Sequence, residues 1–329
     1  MKVTLALERY ERHIPFFLGQ VKIPSGVDLI PVEVGEVSPR RDGTDRHNRM
    51  LKHLEFDVCE MSLGSFILGK SRDPDFPFIG VPVFPRRYFS LSQIFVNANS
   101  GIDTPRDLVG RNVGINAFQV TLSVLAKGDL SKEYDVPWQK INWKCMRPEQ
   151  LPLKFPENVS VEPIPPNSDI GEMLVNGEID ALISPQQPSR TSEALANAGP
   201  KIRRLFKKPE EEDKRYFKKN GFFPVMHLLV IRDEVAKRLP SLSRDLILMW
   251  EDAKKIAYKF YEDPNYSMLA WSDNVYRAER AFLAPDLWPS GVEANRKNLD
   301  LFLNYCADQG LMDKTLCVND LFDPLVINS

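Results

Sequence analysis

Short apolar runs, each closed by a Gly, Pro, Asn or Ser, alternate along this chain with stretches of helical period. Val3–Leu7 and Val27–Val34 read as strands, and Thr44–Leu54 has helical spacing. Phe56–Met61 reads as a strand running into Ser62-Leu63-Gly64-Ser65, where Ser62 is placed to cap a helix. Strand followed by helix predicts a mainly parallel sheet. Apolar runs at Phe78–Phe84 and Leu91–Val96 flank Pro85-Arg86-Arg87-Tyr88, and then the pattern restarts. Thr104-Pro105 suits a helical first turn, Asn112–Ile115 a short buried strand, and Asn116–Thr121 the opening of a helix that ends near Gly128. The proline-rich stretch 147–168 reads as loop with one strand near Val159–Ile164. A helix at Ile170–Val175 and a strand at Ile179–Ile183 follow, closed by Ser184-Pro185. Phe222–Ile231 is a long apolar strand containing Pro224 and His227; beyond it helices are predicted over 240–262, 273–284 and 293–309.

This order predicts an α/β chain folded as two lobes. The first comprises residues 1–95 together with 225–329, the second residues 96–224. The chain crosses once near residues 90–97 and returns near 222–231, so two strands form a hinge beside a cleft, a favoured place for a ligand. The 329 residues are the length two such lobes need, and no repeat of 20–50 residues is visible.

Charge and cysteine usage narrow the function classes. A net charge of -2, with only short basic clusters, excludes the broad basic field that nucleic acid requires. No apolar stretch has the length of a membrane span, and the opening run is too short for a secretory leader, so a cytoplasmic location is expected. Cys59, Cys145, Cys306 and Cys317 are scattered, as expected of thiols in a reducing compartment. The four histidines, His13, His47, His53 and His227, form no metal-ligand pair, and no phosphate-cradling glycine motif occurs.

Several segments carry a resemblance. Phe56-Asp57-Val58-Cys59-Glu60-Met61-Ser62, Phe84-Pro85-Arg86-Arg87-Tyr88-Phe89, Gly101-Ile102 with Pro105–Arg111, Gly177-Glu178-Ile179-Asp180-Ala181, Gly221–His227 and Trp288–Arg296 match in order. Together they resemble the 4,5-dihydroxyphthalate decarboxylase family, across nearly the whole chain. The resemblance implies a periplasmic-binding-protein type II fold with two hinge strands and a helical C-terminal tail. It also implies a carboxy-lyase that converts a hydroxylated aromatic dicarboxylic acid into carbon dioxide and a protocatechuate-type product. Because ring hydroxyls supply the electrons, no cofactor and no metal are assigned. The expected partner is a small aromatic carboxylate, and a homo-oligomer is compatible with the chain. A non-catalytic cytoplasmic binding protein for a small aromatic or anionic ligand is the alternative.

The chemistry needs a proton donor at the ring carbon, groups that handle ring hydroxyls, and cations for a retained carboxylate. His227, on the second crossing strand, is the expected general acid or hydroxyl partner. Glu60, at the end of an apolar strand, is expected to bind hydroxyls, or to donate a proton if its pKa is raised. Arg86 and Arg87 offer bidentate carboxylate binding; side chains alternate along a strand, so one faces the ligand, and Arg86 is preferred. Asn116, Phe118 and Thr121 sit at a strand-to-helix turn suited to anion binding and ring stacking. Ser184 is expected at the cleft, and Arg9, with Tyr10 and His13, as a further wall. Cys59 and the Trp288–Arg296 turn read as packing.

Overall fold

The computed structural model describes residues 1–35, 46–185 and 201–329. Strands β1 (Lys2–Leu7), β2 (Asp28–Glu33), β3 (Val58–Ser62) and β4 (Phe78–Arg87) belong to a first sheet. Strands β5 (Ile94–Asn97), β6 (Asn112–Ile115), β7 (Asn142–Cys145), β8 (Val161–Pro163), β9 (Ala181–Ile183) and β10 (Ile202–Arg204) build a second, in the order β10-β5-β9-β6-β7-β8. The chain then returns as β11 (Val225–Arg232), which completes the first sheet in the order β2-β1-β3-β11-β4. β7, β10 and the helix Pro209–Asn220 carry no clear period and were not anticipated. The sheets are mixed rather than mainly parallel, because the returning strand β11 runs antiparallel to both β3 and β4, and β5 runs antiparallel to β9 and β10.

The helices α1 (Ile14–Phe17), α2 (Arg46–His53), α3 (Leu63–Arg72), α4 (Thr121–Tyr134), α5 (Ile170–Asn176), α6 (Pro209–Asn220), α7 (Asp233–Arg238), α8 (Leu242–Phe260), α9 (Ser272–Phe282) and α10 (Arg296–Asp308) cover the sheets. One face of the first sheet buries Leu5, Leu7, Val81, Leu229 and Ile231 against Leu246, Met249 and Trp250 of α8. The larger core continues from Met61 and Phe66 through Phe118, Trp138 and Trp143 to Phe302 of α10. α10 packs on both α3 and α4, with Gln309 donating to the Val124 carbonyl at 2.9 Å and Trp138 to Asp308 at 2.7 Å. Among the described residues, no helix is long and apolar enough to cross a membrane.

Two glycines mark close approaches. α4 does not end at Gly128; it runs to Tyr134, and Asp135 closes it in the left-handed conformation at φ 54°. Gly128 lies mid-helix because the Tyr305 ring occupies its side-chain position: a Cβ there would lie 2.3 Å from the ring. Gly64, at the start of α3, admits the Gln119 carbonyl from the other lobe, 2.3 Å from where a Cβ would stand. Ser62 precedes α3 but does not cap it; its hydroxyl meets the Thr121 hydroxyl at 2.8 Å instead.

Candidate active site

Three neighbouring strands assemble the centre. In the β3–β11 register Glu60 stands opposite Leu229 and Ser62 opposite His227, so Glu60 and His227 are diagonal neighbours on one face. On the other side β4 loses register between Leu229, opposite Val81, and His227, opposite Arg86. The extra residues include Pro82 and Pro85, which cannot donate to the ladder, and the resulting bulge sets Arg86 beside His227. Glu60 is fully buried, and His227 is 8% exposed.

His227 Nδ1 lies 2.5 Å from Glu60 Oε1. An ionised carboxylate only accepts, so Nδ1 carries the hydrogen and Nε2 is left as a bare acceptor. The same Glu60 oxygen lies 3.0 Å from Arg46 Nη2, and Arg46 Nη1 donates to Glu8 Oε2 at 2.8 Å. Tyr10 donates its hydroxyl to that Glu8 oxygen at 2.8 Å. Arg46 thus bridges two carboxylates, one holding a phenol and the other an imidazole. The His47 ring stands edge-on to His227, with centroids 5.0 Å apart. Arg12 covers the Tyr10 ring at 4.4 Å and donates to the Pro85 carbonyl.

The electrostatics divide these groups. Burial opposes ionisation of Glu60, but Arg46 and the hydrogen bond from His227 outweigh it and hold its pKa well below the carboxylate range. Burial pulls His227 down to about 4, aided by Arg86 and Arg46 and only partly offset by Glu60, so the ring is neutral at pH 7. Burial, with Glu60 nearby, raises the Tyr10 phenol, which keeps its proton. Burial disfavours the Arg86 cation, but Tyr10, Tyr88 and Glu60 more than compensate. Among the described residues the Arg86 guanidinium has no hydrogen bond or ion pair; it stands 5.4 Å from the Tyr88 ring centroid. No group of three or more His, Cys, Asp or Glu side chains is arranged to hold a metal among the described residues.

The structure gathers Glu60, Arg86 and His227 into one centre and disperses several other expected residues. The raised pKa that proton donation by Glu60 would require is not found: Arg46 and His227 hold it low. Arg87 points the other way: its donors go to the Phe223 and Pro289 carbonyls and to Asn295 Oδ1 at 2.6 Å, fastening the Trp288 turn. Phe118 is fully buried between Trp138 and Phe155, with the Lys127 ammonium nitrogen 2.9 Å from its ring centroid, so it cannot stack on a ligand. The amides expected to hold an anion are taken by the protein's own Glu149, which accepts from Phe118 N at 2.6 Å and Gln119 N at 3.0 Å. Thr121 accepts from the Gly64 amide at 3.0 Å and meets Ser62, so it ties the lobes together beside the centre. Asn116 keeps a buried side-chain oxygen without a hydrogen-bond partner among the described residues. Ser184 is half-buried, its amide donating to the Gln93 carbonyl at 3.1 Å. Arg9 is exposed, while Glu8 and Tyr10 on either side of it turn inward. His13 is wholly buried, its Nδ1 donating to the Glu8 carbonyl at 2.7 Å.

Glu8, Arg12, Arg46 and His47 were missed. Arg46 and His47 fall in a polar stretch that reads as a solvated helix face. In the fold this strongly polar helix buries two positions, Arg46 and Met50, which no local pattern announces. The run Arg40-Arg41 that precedes it lies outside the described residues.

Comparison with known proteins adds to this geometry. No protein-family model matches the chain. A 4,5-dihydroxyphthalate decarboxylase of Comamonas testosteroni is 30% identical over 337 residues, covering 100% of this chain and 98% of the relative. The Pseudomonas putida protein of the same name is 30% identical over 216 residues, covering 64% of this chain and 79% of the relative. Among solved structures, the sulfonate-binding SsuA of Methylobacillus flagellatus gives a TM-score of 0.55 at 12% identity over 99% of this chain and 92% of that one. The Escherichia coli periplasmic aliphatic sulphonate-binding protein gives 0.53 at 11% over 98% and 91%. These structural likenesses establish the two-lobed type II binding-protein fold, and the sequence match establishes that the chain belongs to the 4,5-dihydroxyphthalate decarboxylase family.

Proposed function

We propose that this protein is a carboxy-lyase that releases carbon dioxide from 4,5-dihydroxyphthalate or a close hydroxylated aromatic dicarboxylate, leaving a protocatechuate-type product. The observation that carries the reading is a guanidinium, Arg86, with no carboxylate of its own among the described residues, beside a neutral imidazole, His227, whose Nδ1 is engaged by Glu60. Arg86 takes the carboxylate that stays, by paired hydrogen bonds. His227 Nε2 takes the proton of the hydroxyl para to the carboxylate that leaves, and Glu60 stabilises the imidazolium that forms. The resulting phenolate pushes electron density to the carbon bearing the leaving group, which is protonated and then loses carbon dioxide. Lobe closure over this centre, across the Ser62–Thr121 contact, excludes water and strengthens these electrostatic terms.

The direct test is to incubate the purified protein with 4,5-dihydroxyphthalate and follow carbon dioxide and protocatechuate. Stoichiometric appearance of both is expected, with R86Q raising KM at least tenfold. Stabilisation by the dicarboxylate without turnover, on this and related hydroxyaryl acids, would establish a binding protein instead.

A further inference from the structure

The segment between α8 and the Trp288 turn has no core of its own. Tyr261 closes α8, a turn follows, and then α9 (Ser272–Phe282) runs for 11 residues without burying one of them. A helix this short does not hold its shape alone in water, so contact must supply what propensity does not. One face of α9 has such contact. Tyr276 stacks on Tyr261 with ring centroids 5.1 Å apart, and Arg280 donates to the Tyr276 hydroxyl at 2.7 Å while its guanidinium stands 5.5 Å from the Tyr258 ring centroid. The opposite face is left open to solvent. We propose that this open face docks a second copy of the chain, α9 against α9 about a two-fold axis. The proposal stands apart from the decarboxylation reading.

Trp271, Val275, Ala278 and Phe282 recur every three or four residues, so they form one stripe about 16 Å long. Trp271 is 76% exposed, Val275 55% and Phe282 49%, the last with the Lys214 ammonium 5.4 Å from its ring centroid. In the turn that leads into the helix, Leu269 is 72% exposed and Met268 is entirely so. At ordinary side-chain areas these five residues leave roughly 600 Å² of accessible surface, the upper end of what a monomer keeps in one patch. It is also most of the about 800 Å² that each partner gives to a standard interface.

Charge and shape select the occupant. The stripe carries no charge, and Ala278 at its middle lets another helix approach closely. Residues 261–282 hold four acids, Glu262, Asp263, Asp273 and Glu279, against Arg277 and Arg280. That excess turns away an anionic membrane, which basic interfacial helices seek. The stripe is complementary to itself when reversed, as a two-fold contact requires. An antiparallel pair sets Trp271 of one copy level with Phe282 of the other and Val275 level with Ala278. Asn274 then meets Glu279, so no like charges face each other.

Sedimentation velocity over the micromolar range compares the parent with W271D, V275D and L325D. The parent is expected as a dimer or a larger even-numbered assembly. W271D and V275D each place a carboxylate in the stripe at an already exposed position, and both are expected to halve the mass while far-ultraviolet circular dichroism is retained. Leu325, 66% exposed, lies by the start of α8, the far end of that helix from α9, where Asp323 accepts from Ser243 at 3.0 Å. L325D is expected to leave the assembly whole. A monomeric parent overturns the proposal, and so does an assembly that survives both stripe variants or that L325D also halves. Flotation with vesicles of phosphatidylcholine and phosphatidylglycerol reads the other occupant: a monomeric parent that binds them, with binding lost in W271D, overturns the proposal in favour of a membrane.

Discussion

Glu60 makes two contacts, to His227 and to Arg46, that no neutral side chain can reproduce together. A Gln at this position still accepts from His227 Nδ1, but it no longer offsets the imidazolium that appears when Nε2 takes a proton. It also leaves Arg46 with only Glu8 as counter-charge. E60Q is therefore expected to lower kcat by about 10²–10⁴-fold with little change in KM, because the loss falls on the charged state formed during reaction; steady-state kinetics on the two proteins decides this. The same burial sets a dependence on acid. His227 and His13 are lowered from 6.5 in the unfolded chain, to about 4 and about 3 in the fold, by burial first of all. The unfolded state thus binds more protons as pH falls below 6.5, and stability is present above that pH and lost on the way down toward 4. The slope is up to about 1.4 kcal/mol per pH unit for each ring. Urea unfolding midpoints between pH 7 and pH 4 should fall, and H13Q should remove part of the slope; a flat profile in the parent would refute the assignment of neutral rings.

α4 shows how tertiary contact overrules local preference. An Ala at residue 128 gains about 1 kcal/mol of intrinsic helix propensity over Gly. Its methyl group would lie 2.3 Å from the Tyr305 ring, which is itself held by Asp129 and cannot swing aside freely. Overpacking of this kind costs about 1–3 kcal/mol or more, so G128A is expected to destabilise the protein although it improves the helix in isolation. Chemical denaturation reads the sign directly. The same logic explains what was legible beforehand. Strands β3 and β11 announce themselves by apolar runs, and their interrupting polar residues, Glu60 and His227, stand out for that reason. Strand alternation implied that one of Arg86 and Arg87 faces the centre but did not say which. The Gly128 stop was misread because a glycine in a helix has two causes, a turn or a neighbour's ring, and only the second involves a residue distant in sequence. Arg46 and His47 were invisible for a related reason: the charge of Arg46 is paired with Glu8 and Glu60 across the fold, and nothing local distinguishes a helix face buried against acids from one facing water. The helix-start amides misled in the opposite direction, since their anion, Glu149, comes from the protein itself.

At the scale of the whole molecule the lobes are joined by more than two crossing strands. Asp129, fully buried on α4, accepts from Ser90 in the first crossing segment at 2.5 Å, from Tyr216 on α6 just before the return at 3.1 Å, and from Tyr305 on α10 at 3.0 Å. One carboxyl group therefore ties a second-lobe helix, both chain passages and the C-terminal helix, and among the described residues it has no cation to pair with. Burial raises its pKa from 3.8 to about 6 despite the three hydroxyl donors. For an acid raised on folding, the folded state binds the proton more tightly. Its contribution is then complete below about 3.8 and is lost as pH climbs through about 6, the reverse of the histidine case. An Asn in its place accepts from both tyrosines through its carbonyl oxygen, offers its amide to the Ser90 oxygen, and never ionises. D129N is accordingly expected to match the parent within about 1 kcal/mol near pH 4 and to exceed it by about 2–3 kcal/mol at pH 8, where the parent must bury an unpaired carboxylate. Urea denaturation of the two proteins at both pH values tests this. An Asn variant that is less stable than the parent at pH 8 would mean that the charge strengthens its three hydrogen bonds by more than its burial costs. The ionised form would then be the favoured one in the fold, and the raised pKa argued for here would have to be given up.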